Sequence, residues 1–316
     1  MEIHRPSPEV IPFGLRALKM VALADGAFSP AERNLIETAQ RTFGSSHDLA
    51  ALAPITPAEL AEVITEPGKR RQIVRGMIIL SLVDGEASPA ESAVVEAFAE
   101  ALEVDTTSVD TLRLFADRSF LRARFDIARR FFAREKATEM AKEKGLLWLV
   151  KSLAVMAGVR EDEKIAAPYR ALEGAPEGSL GRGYFDFIRS NGYSLPGEKG
   201  SPPEPLFFHD LTHVLSGYGT DPEGELQVLS FHAGCRKEEK DPFAFVLFGI
   251  AEFHLGIAMS PVASGTKMML DPAKMFAAIQ RGAACTIDPT HGWDPWPVIN
   301  EPLADLRARY GISPLA

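Results

Sequence analysis

One stretch of the sequence, FFHDLTHVLSGYGTDPEGEL at 207–226, concentrates residue types that bind metal ions. His209 and His213 are spaced i, i+4, and Asp210 is three residues before His213, so on a helix the three side chains can converge over one face. Imidazole nitrogens combined with carboxylates are typical of zinc, iron or manganese sites and not of calcium sites. We therefore predict that His209, Asp210, His213 and Glu225 hold a catalytic divalent metal, zinc in the first place, with iron or manganese as alternatives.

Two helices are needed to position these ligands. The first is predicted to end at Gly217, because glycine is the usual residue after a helix C-terminus. Asp221 suits an N-cap and Pro222 the first helical position, which places Glu225 in the first turn of the next, antiparallel helix. Gly224 has no side chain and is predicted to allow close approach of the two helices at the metal.

A structural role is the alternative for these histidines: both could be partly buried and hydrogen-bonded, with Asp210 orienting one of them. Two imidazoles beside two acids would then add the cost of burying polar groups with no gain in packing, so we prefer the metal site. His232 and His254 also lie on apolar helical segments. We interpret those two as core or rim histidines.

A second signal is a nine-residue segment that occurs twice, as ADGAFSPAE at 24–32 and as VDGEASPAE at 83–91, and is called the duplicated word below. Apolar residues spaced at three and four precede and follow each copy, so each is predicted to be a corner between two helices. Helix capping explains why these residues recur in the duplicated word, and no ligand is needed to explain them. The predicted roles are a positive φ for Gly26 and Gly85, N-caps for Ser29 and Ser88, N1 positions for Pro30 and Pro89, and capping-box acids for Glu32 and Glu91.

Paired Asp-Gly corners in an acidic helical bundle resemble the TerB-like tellurite-resistance domain, over residues 10–135. The resemblance implies that Asp25 and Asp84 hold a cation. Solvated turn residues are the alternative, and the capping roles favour it. The corners are not EF-hands, because position 12 counted from Asp25 is Ile36 where a bidentate glutamate is required.

Helical periodicity runs through the chain, and alternating β-branched runs with tight turns are scarce, so we predict an all-α fold. Two helical domains are predicted: residues 1–140, which include the TerB-like part, and residues 141–316, which contain the predicted metal site. The apolar run FAFVLFGIAEFHLGIAM at 243–259 is too short, and too marked by Glu252 and His254, for a membrane span. We expect it to form a core helix or the wall of a lipid-binding groove.

The second domain also resembles a known family. His209, Asp210, His213 and Glu225 match the H-D-x-x-H-x(11)-E motif of the coenzyme Q biosynthesis protein 4 family. The segments PEGSLGRGYFDF, SGYGTDPEGEL and WPVINEPLADLRARYGI are similar to that family's flanking segments, over about residues 145–316. The segment EKGSPPEPLFF before His209 departs from the family, which is expected to have a longer, arginine-containing segment there.

The resemblance implies an all-α protein with a bound metal and a groove for a polyprenyl tail, acting in ubiquinone biosynthesis. The chemistry implied is oxidative decarboxylation at C1 of a prenylated 4-hydroxybenzoate ring, in which a hydroxyl replaces the carboxylate. A non-catalytic scaffold that presents isoprenoid lipids to other quinone-biosynthesis proteins is the alternative. An HD-type phosphohydrolase is weaker, because the nearest upstream histidine, His47, is 162 residues before His209; a gluzincin-like peptidase is weaker still, because H-E-x-x-H is absent.

The charge balance and residue composition of the chain limit the kinds of partner that the protein can bind. With 34 Lys and Arg against 43 Asp and Glu, the net charge is −9, so the chain has no basic field for nucleic acid. The N-terminal residues have the pattern of neither a secretory signal nor a transit peptide, and Cys235 and Cys285 form no CxxC motif, so we expect a cytoplasmic protein. We expect an isoprenoid lipid or prenylated quinone precursor as partner, a homo-oligomer, and peripheral contact at the inner face of a membrane.

Overall fold

The computed structural model describes residues 1, 3–237, 240–259 and 265–315. Over these residues the chain forms 16 α-helices and no strand, with only two isolated β-bridges. The predicted all-α fold is confirmed. The first eight helices are α1 (Ile11–Ala22), α2 (Pro30–Phe43), α3 (Pro57–Val63), α4 (Pro67–Leu80), α5 (Pro89–Ala101), α6 (Thr107–Ala116), α7 (Phe120–Arg130) and α8 (Phe132–Lys144). The others are α9 (Leu146–Met156), α10 (Glu163–Arg170), α11 (Leu180–Ser190), α12 (Phe207–Ser216), α13 (Pro222–Cys235), α14 (Phe243–Phe253), α15 (Pro272–Ala283) and α16 (Leu303–Arg309).

The chain divides into two compact units. The N-terminal unit contains Glu2–Ala128 and Val246–Ala277. The C-terminal unit contains Arg129–Phe245 and Ala278–Ala316, together with Met1. All residues of the predicted metal motif therefore belong to the C-terminal unit, and both copies of the duplicated word belong to the N-terminal unit.

In the N-terminal unit the two copies form the predicted corners before α2 and α5. Gly26 and Gly85 have φ values of +92° and +91°, as predicted. Ser29 forms a reciprocal capping box with Glu32. Ser88 also caps its helix by accepting from the amides of Ala90 and Glu91. The side chain of Glu91, however, does not accept from the amide of Ser88. One predicted capping box is thus complete, and the second has only the serine half.

Apolar side chains on the helices flanking these corners form the core of the N-terminal unit. The buried set includes Leu15, Val21, Leu35, Ile36, Met77, Ile78, Val95 and Phe98. The spacing of three and four in each helix puts these side chains on one face, which packs against the neighbouring helices. The helix–corner–helix units are therefore held by apolar packing as well as by their caps.

In the C-terminal unit α12 and α13 carry the metal motif. Helix α12 ends at Ser216, followed by Gly217 in the left-handed conformation with φ +82°. Helix α13 begins at Pro222, and Asp221 caps it by accepting from the amide of Gly224 at 2.7 Å. Both predicted helix boundaries are confirmed, and they place Glu225 in the first turn of α13.

The apolar run at 243–259 contributes the 11-residue helix α14. Among the described residues, no helix combines the length and the apolar character that crossing a lipid bilayer requires.

Candidate metal centre

The side chains of His209, His213 and Glu225 converge between α12 and α13. His209 Nε2 lies 3.1 Å from Glu225 Oε2 and 3.2 Å from His213 Nε2. His213 Nε2 lies 3.4 Å from Glu225 Oε1. One potential ligand atom of each residue is therefore within 4.8 Å of the other two.

These separations fit a single tetrahedral metal ion. Nitrogen and oxygen ligands bind zinc at about 2.0–2.2 Å, so two ligand atoms at the tetrahedral angle lie about 3.3 Å apart. The 3.2 Å between the two imidazole nitrogens and the 3.1 Å from His209 Nε2 to Glu225 Oε2 are close to that value, and His213 Nε2 lies 3.4 Å from the other carboxylate oxygen, Oε1. Two imidazoles and one carboxylate are also a donor set found in catalytic zinc sites, which leave the remaining position open.

The tautomer of His213 is fixed by the turn between the helices. Its Nδ1 lies 3.2 Å from the carbonyl oxygen of Tyr218, so Nδ1–H donates there, and in the neutral ring Nε2 carries the lone pair towards the centre. A second hydrogen bond of this kind is a regular feature of metal-ligating histidines. The side chain of His213 is buried and stacks on Phe187 at 5.4 Å between ring centroids.

The charges of the three groups are linked. Burial alone raises the pKa of Glu225, but the hydrogen bonds from His209 and His213 together with the charges of these two histidines outweigh it and lower that pKa to about 2. Burial lowers the pKa of His213, but the hydrogen bond with Glu225, the charges of Glu225 and Asp210 and the carbonyl of Tyr218 together outweigh it, and the net direction is upward. Glu225 is therefore an anion that either two protonated imidazoles or a metal ion can balance.

Asp210, the fourth predicted ligand, does not join this group of three. Successive residues of a helix point about 100° apart, so Asp210 leaves α12 in a different direction from its neighbour His209. It lies close enough for His209 and His213 to act on it electrostatically, but burial dominates and raises the pKa of Asp210 to about 6.

Gly224 allows a close approach, but to a different partner from the one predicted. A Cβ at this position would lie 2.3 Å from the carbonyl oxygen of Gly219 and 2.6 Å from its carbonyl carbon. The first turn of α13 therefore packs directly on the connection that follows α12. This backbone contact fixes the position of Gly224, and therefore the position of the next residue, Glu225, relative to the histidines.

His232 was predicted as a core or rim histidine, and it is fully buried beside the metal centre. Its ring stacks on His209 at 5.6 Å, on Phe245 at 5.1 Å and on Phe132 at 5.9 Å. Neither ring nitrogen of His232 has a hydrogen-bond partner among the described residues, and the same is true of His209 Nδ1. The sequence contains a signal for this position, because His232 follows Glu225 by seven residues, two helical turns along the same face.

His254 provides a contrast within the N-terminal unit. Its Nε2 donates to the carbonyl oxygen of Val83 at 3.0 Å, and its Nδ1 accepts from the amide of Leu270 at 3.1 Å. The side chain is buried and both nitrogens are used. The interpretation of His254 as a core or rim histidine agrees with these contacts.

Asp25 and Asp84 are turn residues in the structure. Asp25 Oδ1 accepts from the amide of Ala27 at 2.9 Å, and Asp84 Oδ1 accepts from the amide of Glu86 at 3.1 Å. Neither belongs to a group of three potential ligands among the described residues. The cation implied by the TerB-like resemblance remains a prediction.

Behind the two corners, the buried acids Glu32 and Glu91 are hydrogen-bonded to each other. Burial and the adjacent Glu32, with a smaller contribution from Asp84 and Asp25, raise the pKa of Glu91 to about 9. Sequence reasoning assigned these two glutamates only to helix capping. The pairing of the two corners through a shared proton was missed, although both acids occupy the same position of the duplicated word.

A second group of potential ligands is formed by Glu135, Glu139 and His291. Glu135 is already paired with Arg236 at 2.6 Å and with Lys240 at 2.7 Å. The pair of cations lowers the pKa of Glu135 to about 2 despite the opposing effect of burial. Because two cations already neutralise this carboxylate, we assign no metal to the group.

The chain matches no family model, and comparisons with curated proteins and with solved structures give no significant match. The fold and the geometry of the centre therefore define it only as an all-α chain with a candidate His/His/Glu metal site.

Proposed function

We propose that the C-terminal unit binds a divalent metal through His209, His213 and Glu225 and acts in ubiquinone biosynthesis. The substrate class is a prenylated 4-hydroxybenzoate-type precursor, and the reaction is the oxidative decarboxylation implied by the resemblance, in which the carboxylate would leave as CO2, a hydroxyl would replace it and dioxygen would be the oxidant. The observation that carries the proposal is the convergence of two imidazole nitrogens and the Glu225 carboxylate at 3.1–3.4 Å, from motif residues that lie at positions 209, 213 and 225.

The contacts of this chain support a preformed site. Tyr218 holds His213 in the tautomer that leaves Nε2 available. The Asp221 cap and the contact between Gly224 and Gly219 fix the first turn of α13, from which Glu225 extends. Zinc bound there would supply Lewis-acid polarisation of a carboxylate or phenolic oxygen, and iron or manganese are the alternatives.

Asp210 belongs to the proposal as a residue beside the centre and not as one of the three ligands. Its side chain starts one residue from His209 and three from His213 on α12, and burial raises its pKa to about 6. A carboxylate in this position can orient a ligand histidine or a bound substrate.

We also propose that the protein meets its prenylated substrate by peripheral contact with a membrane. The net charge of −9 disfavours electrostatic attachment to anionic lipid, so this contact would be apolar and local. The corresponding location is the cytoplasm and the inner face of the membrane.

The test is genetic complementation with chemical readout. A strain lacking this gene, complemented with His213→Ala, is expected to accumulate the carboxylated prenyl precursor and to lose quinone. His47→Ala is the matched control, because His47 is exposed in the N-terminal unit and should leave quinone levels normal. Normal quinone levels in the His213→Ala strain would contradict the proposed function.

A further inference from the structure

The two cysteines of the chain lie next to each other in the C-terminal unit, although they are 50 positions apart in the sequence. Cys235 is the last residue of α13, and Cys285 is two positions beyond the end of α15. Their side chains are hydrogen-bonded to each other, so the two sulfur atoms are in contact. Both thiols are free, and both residues are partly buried.

Close packing of two helices brings the cysteines together. A Cβ atom added at Gly234 would lie 2.7 Å from the Cα of Gly282, and one added at Gly282 would lie 3.0 Å from the Cα of Gly234. Larger residues do not fit at these positions, so the two glycines allow the backbones of α13 and α15 to touch. Cys235 follows Gly234 directly, and the amide of Cys285 donates to the carbonyl oxygen of Gly282 at 3.0 Å. This backbone contact therefore fixes the positions of both cysteines.

The two thiols have different environments. Burial raises the pKa of Cys235 well above its usual range, and the neighbouring Cys285 raises it further. The hydrogen bond that Cys235 donates has the largest influence on Cys285 and lowers its pKa. The backbone of Ile287 and the charge of Arg281 act in the same direction, and together these effects outweigh burial and the charge of Asp288. Cys285 is therefore the thiol that ionises more readily, and the thiolate is the nucleophilic form.

Cys285 is also the thiol that a small oxidant can reach. The residues at positions 283, 284 and 286 are exposed, so the segment that follows α15 lies at the surface. Both chain neighbours of Cys235 are buried. An accessible thiol of lowered pKa beside a second thiol that can resolve it is the arrangement of redox-sensing cysteines.

We propose that Cys235 and Cys285 form a reversible disulfide when a peroxide oxidises Cys285. The thiolate of Cys285 attacks one peroxide oxygen, the O–O bond breaks, and the leaving hydroxide takes up a proton to become water. The sulfur of Cys235 then attacks the sulfenic acid, whose hydroxyl leaves with the thiol proton as a second water molecule. Two thiols thereby lose two electrons and two protons to one hydrogen peroxide. A small dithiol reduces the bond again by thiol–disulfide exchange.

The disulfide closes the base of an excursion of the chain. Between the two cysteines, the chain leaves the C-terminal unit after Phe245 and returns to it at Ala278. A bond from Cys235 to Cys285 ties the departing and the returning segments together within that unit. It also closes a loop of about 50 residues in the unfolded chain, which lowers the entropy of the unfolded state. Oxidation is therefore expected to stabilise the protein, and this effect requires no metal and is independent of the proposed function.

The test exposes the full-length protein to dilute hydrogen peroxide and analyses it by mass spectrometry. Wild type should lose two hydrogen atoms per chain, and a digest without reductant should contain one pair of peptides joined through Cys235 and Cys285. Dithiothreitol should restore both thiols. Two free thiols after peroxide treatment, or a disulfide formed only between chains, would overturn the proposal. This measurement needs no substitution, so it stands even if a cysteine variant fails to fold.

Single substitutions test the roles of the two thiols. In Cys235→Ser the reaction should stop at the sulfenic acid of Cys285, which dimedone traps and peptide mass spectrometry locates. Cys285→Ser should react with peroxide at least about 10-fold more slowly than Cys235→Ser, because its remaining thiol is buried and protonated. Equal reaction rates for the two variants would contradict the assignment of Cys285 as the reacting thiol.

The melting temperature tests the closure of the excursion. Oxidised wild type should melt several degrees above reduced wild type, because the bond restricts the unfolded chain. Cys235→Ser is the matched control, and the same peroxide treatment should leave its melting temperature unchanged, since oxidation of Cys285 alone forms no bond within the chain. An equal shift in Cys235→Ser, or no shift in oxidised wild type, would show that the bond does not hold the excursion closed.

Discussion

The duplicated corners of the N-terminal unit and the candidate metal centre of the C-terminal unit are both built from polar residues at helix ends, and they differ in where their hydrogen bonds go. In the first corner, Ser29 and Glu32 satisfy each other's backbone amides, and Asp25 bonds the turn. At the metal centre, His209 and His232 keep buried nitrogens without protein partners among the described residues. A motif whose polar groups are satisfied locally has a structural explanation, whereas buried nitrogens without protein partners call for water, an ion or a ligand to bond them.

The largest effect is expected from loss of a metal ligand. His213→Ala should lower zinc affinity by more than about 100-fold, because loss of even an outer partner of a ligand costs about 10–100-fold. A competition titration with a chromophoric chelator measures this. His47→Ala serves as control and should bind zinc as wild type does. Equal zinc affinity of His213→Ala and His47→Ala would contradict the assignment of His213 as a metal ligand.

Crowding the first turn of α13 should have the next largest effect. Gly224→Ala places a Cβ 2.3 Å from the carbonyl oxygen of Gly219, so the backbone must shift and stability should fall by about 2 kcal/mol. Zinc affinity should fall too, because Glu225 is the next residue.

Gly174→Ala is the control for that substitution, since a Cβ there meets no atom within 4 Å. Its effect should stay within about 0.5 kcal/mol. Chemical denaturation of the metal-free proteins compares the two variants. A loss no larger for Gly224→Ala than for Gly174→Ala would contradict the proposed backbone contact.

The paired acids of the corners predict a pH dependence of stability. The pKa of Glu91 rises from 4.5 to about 9 on folding, so ionisation favours the unfolded state, and stability is lost as pH rises from about 4.5 towards 9. Glu91→Gln should remove this loss and stabilise the protein at pH 8 by on the order of 1 kcal/mol, but not at pH 4.

Thermal unfolding of Glu91→Gln at pH 4 and pH 8 measures the difference. The exposed Glu86→Gln, in the same corner, is the control and should follow wild type at both values. If Glu91→Gln follows wild type as well, the two corners do not share a buried proton.

The smallest effect is expected at the aspartates of the corners. In the double variant Asp25→Asn and Asp84→Asn, each amide oxygen can still accept the turn hydrogen bond, so stability should change by less than about 0.5 kcal/mol. The number of metal ions bound per chain, measured by elemental analysis after dialysis, should also be unchanged. Loss of one bound ion would instead support the cation implied by the TerB-like resemblance.

Local features of the fold could be predicted from sequence because their causes are local. The Ser29 and Asp221 caps and the helix end at Gly217 depend on residues within one turn, and all three are present. The pairing of Glu32 with Glu91 and the isolation of His232 depend on residues far apart in the chain, including Phe132 and Phe245. No spacing rule supplies those contacts, although the seven-residue interval from Glu225 to His232 placed both on one face of α13.

The central claim, that His209, His213 and Glu225 hold one divalent metal, is tested most directly by X-ray absorption spectroscopy of the zinc-loaded protein. The account predicts one zinc per chain with two imidazole nitrogens and carboxylate oxygen at about 2.0–2.2 Å, and loss of one imidazole or of the zinc itself in His213→Ala. A sulfur ligand at about 2.3 Å, or the same spectrum from wild type and His213→Ala, would contradict it.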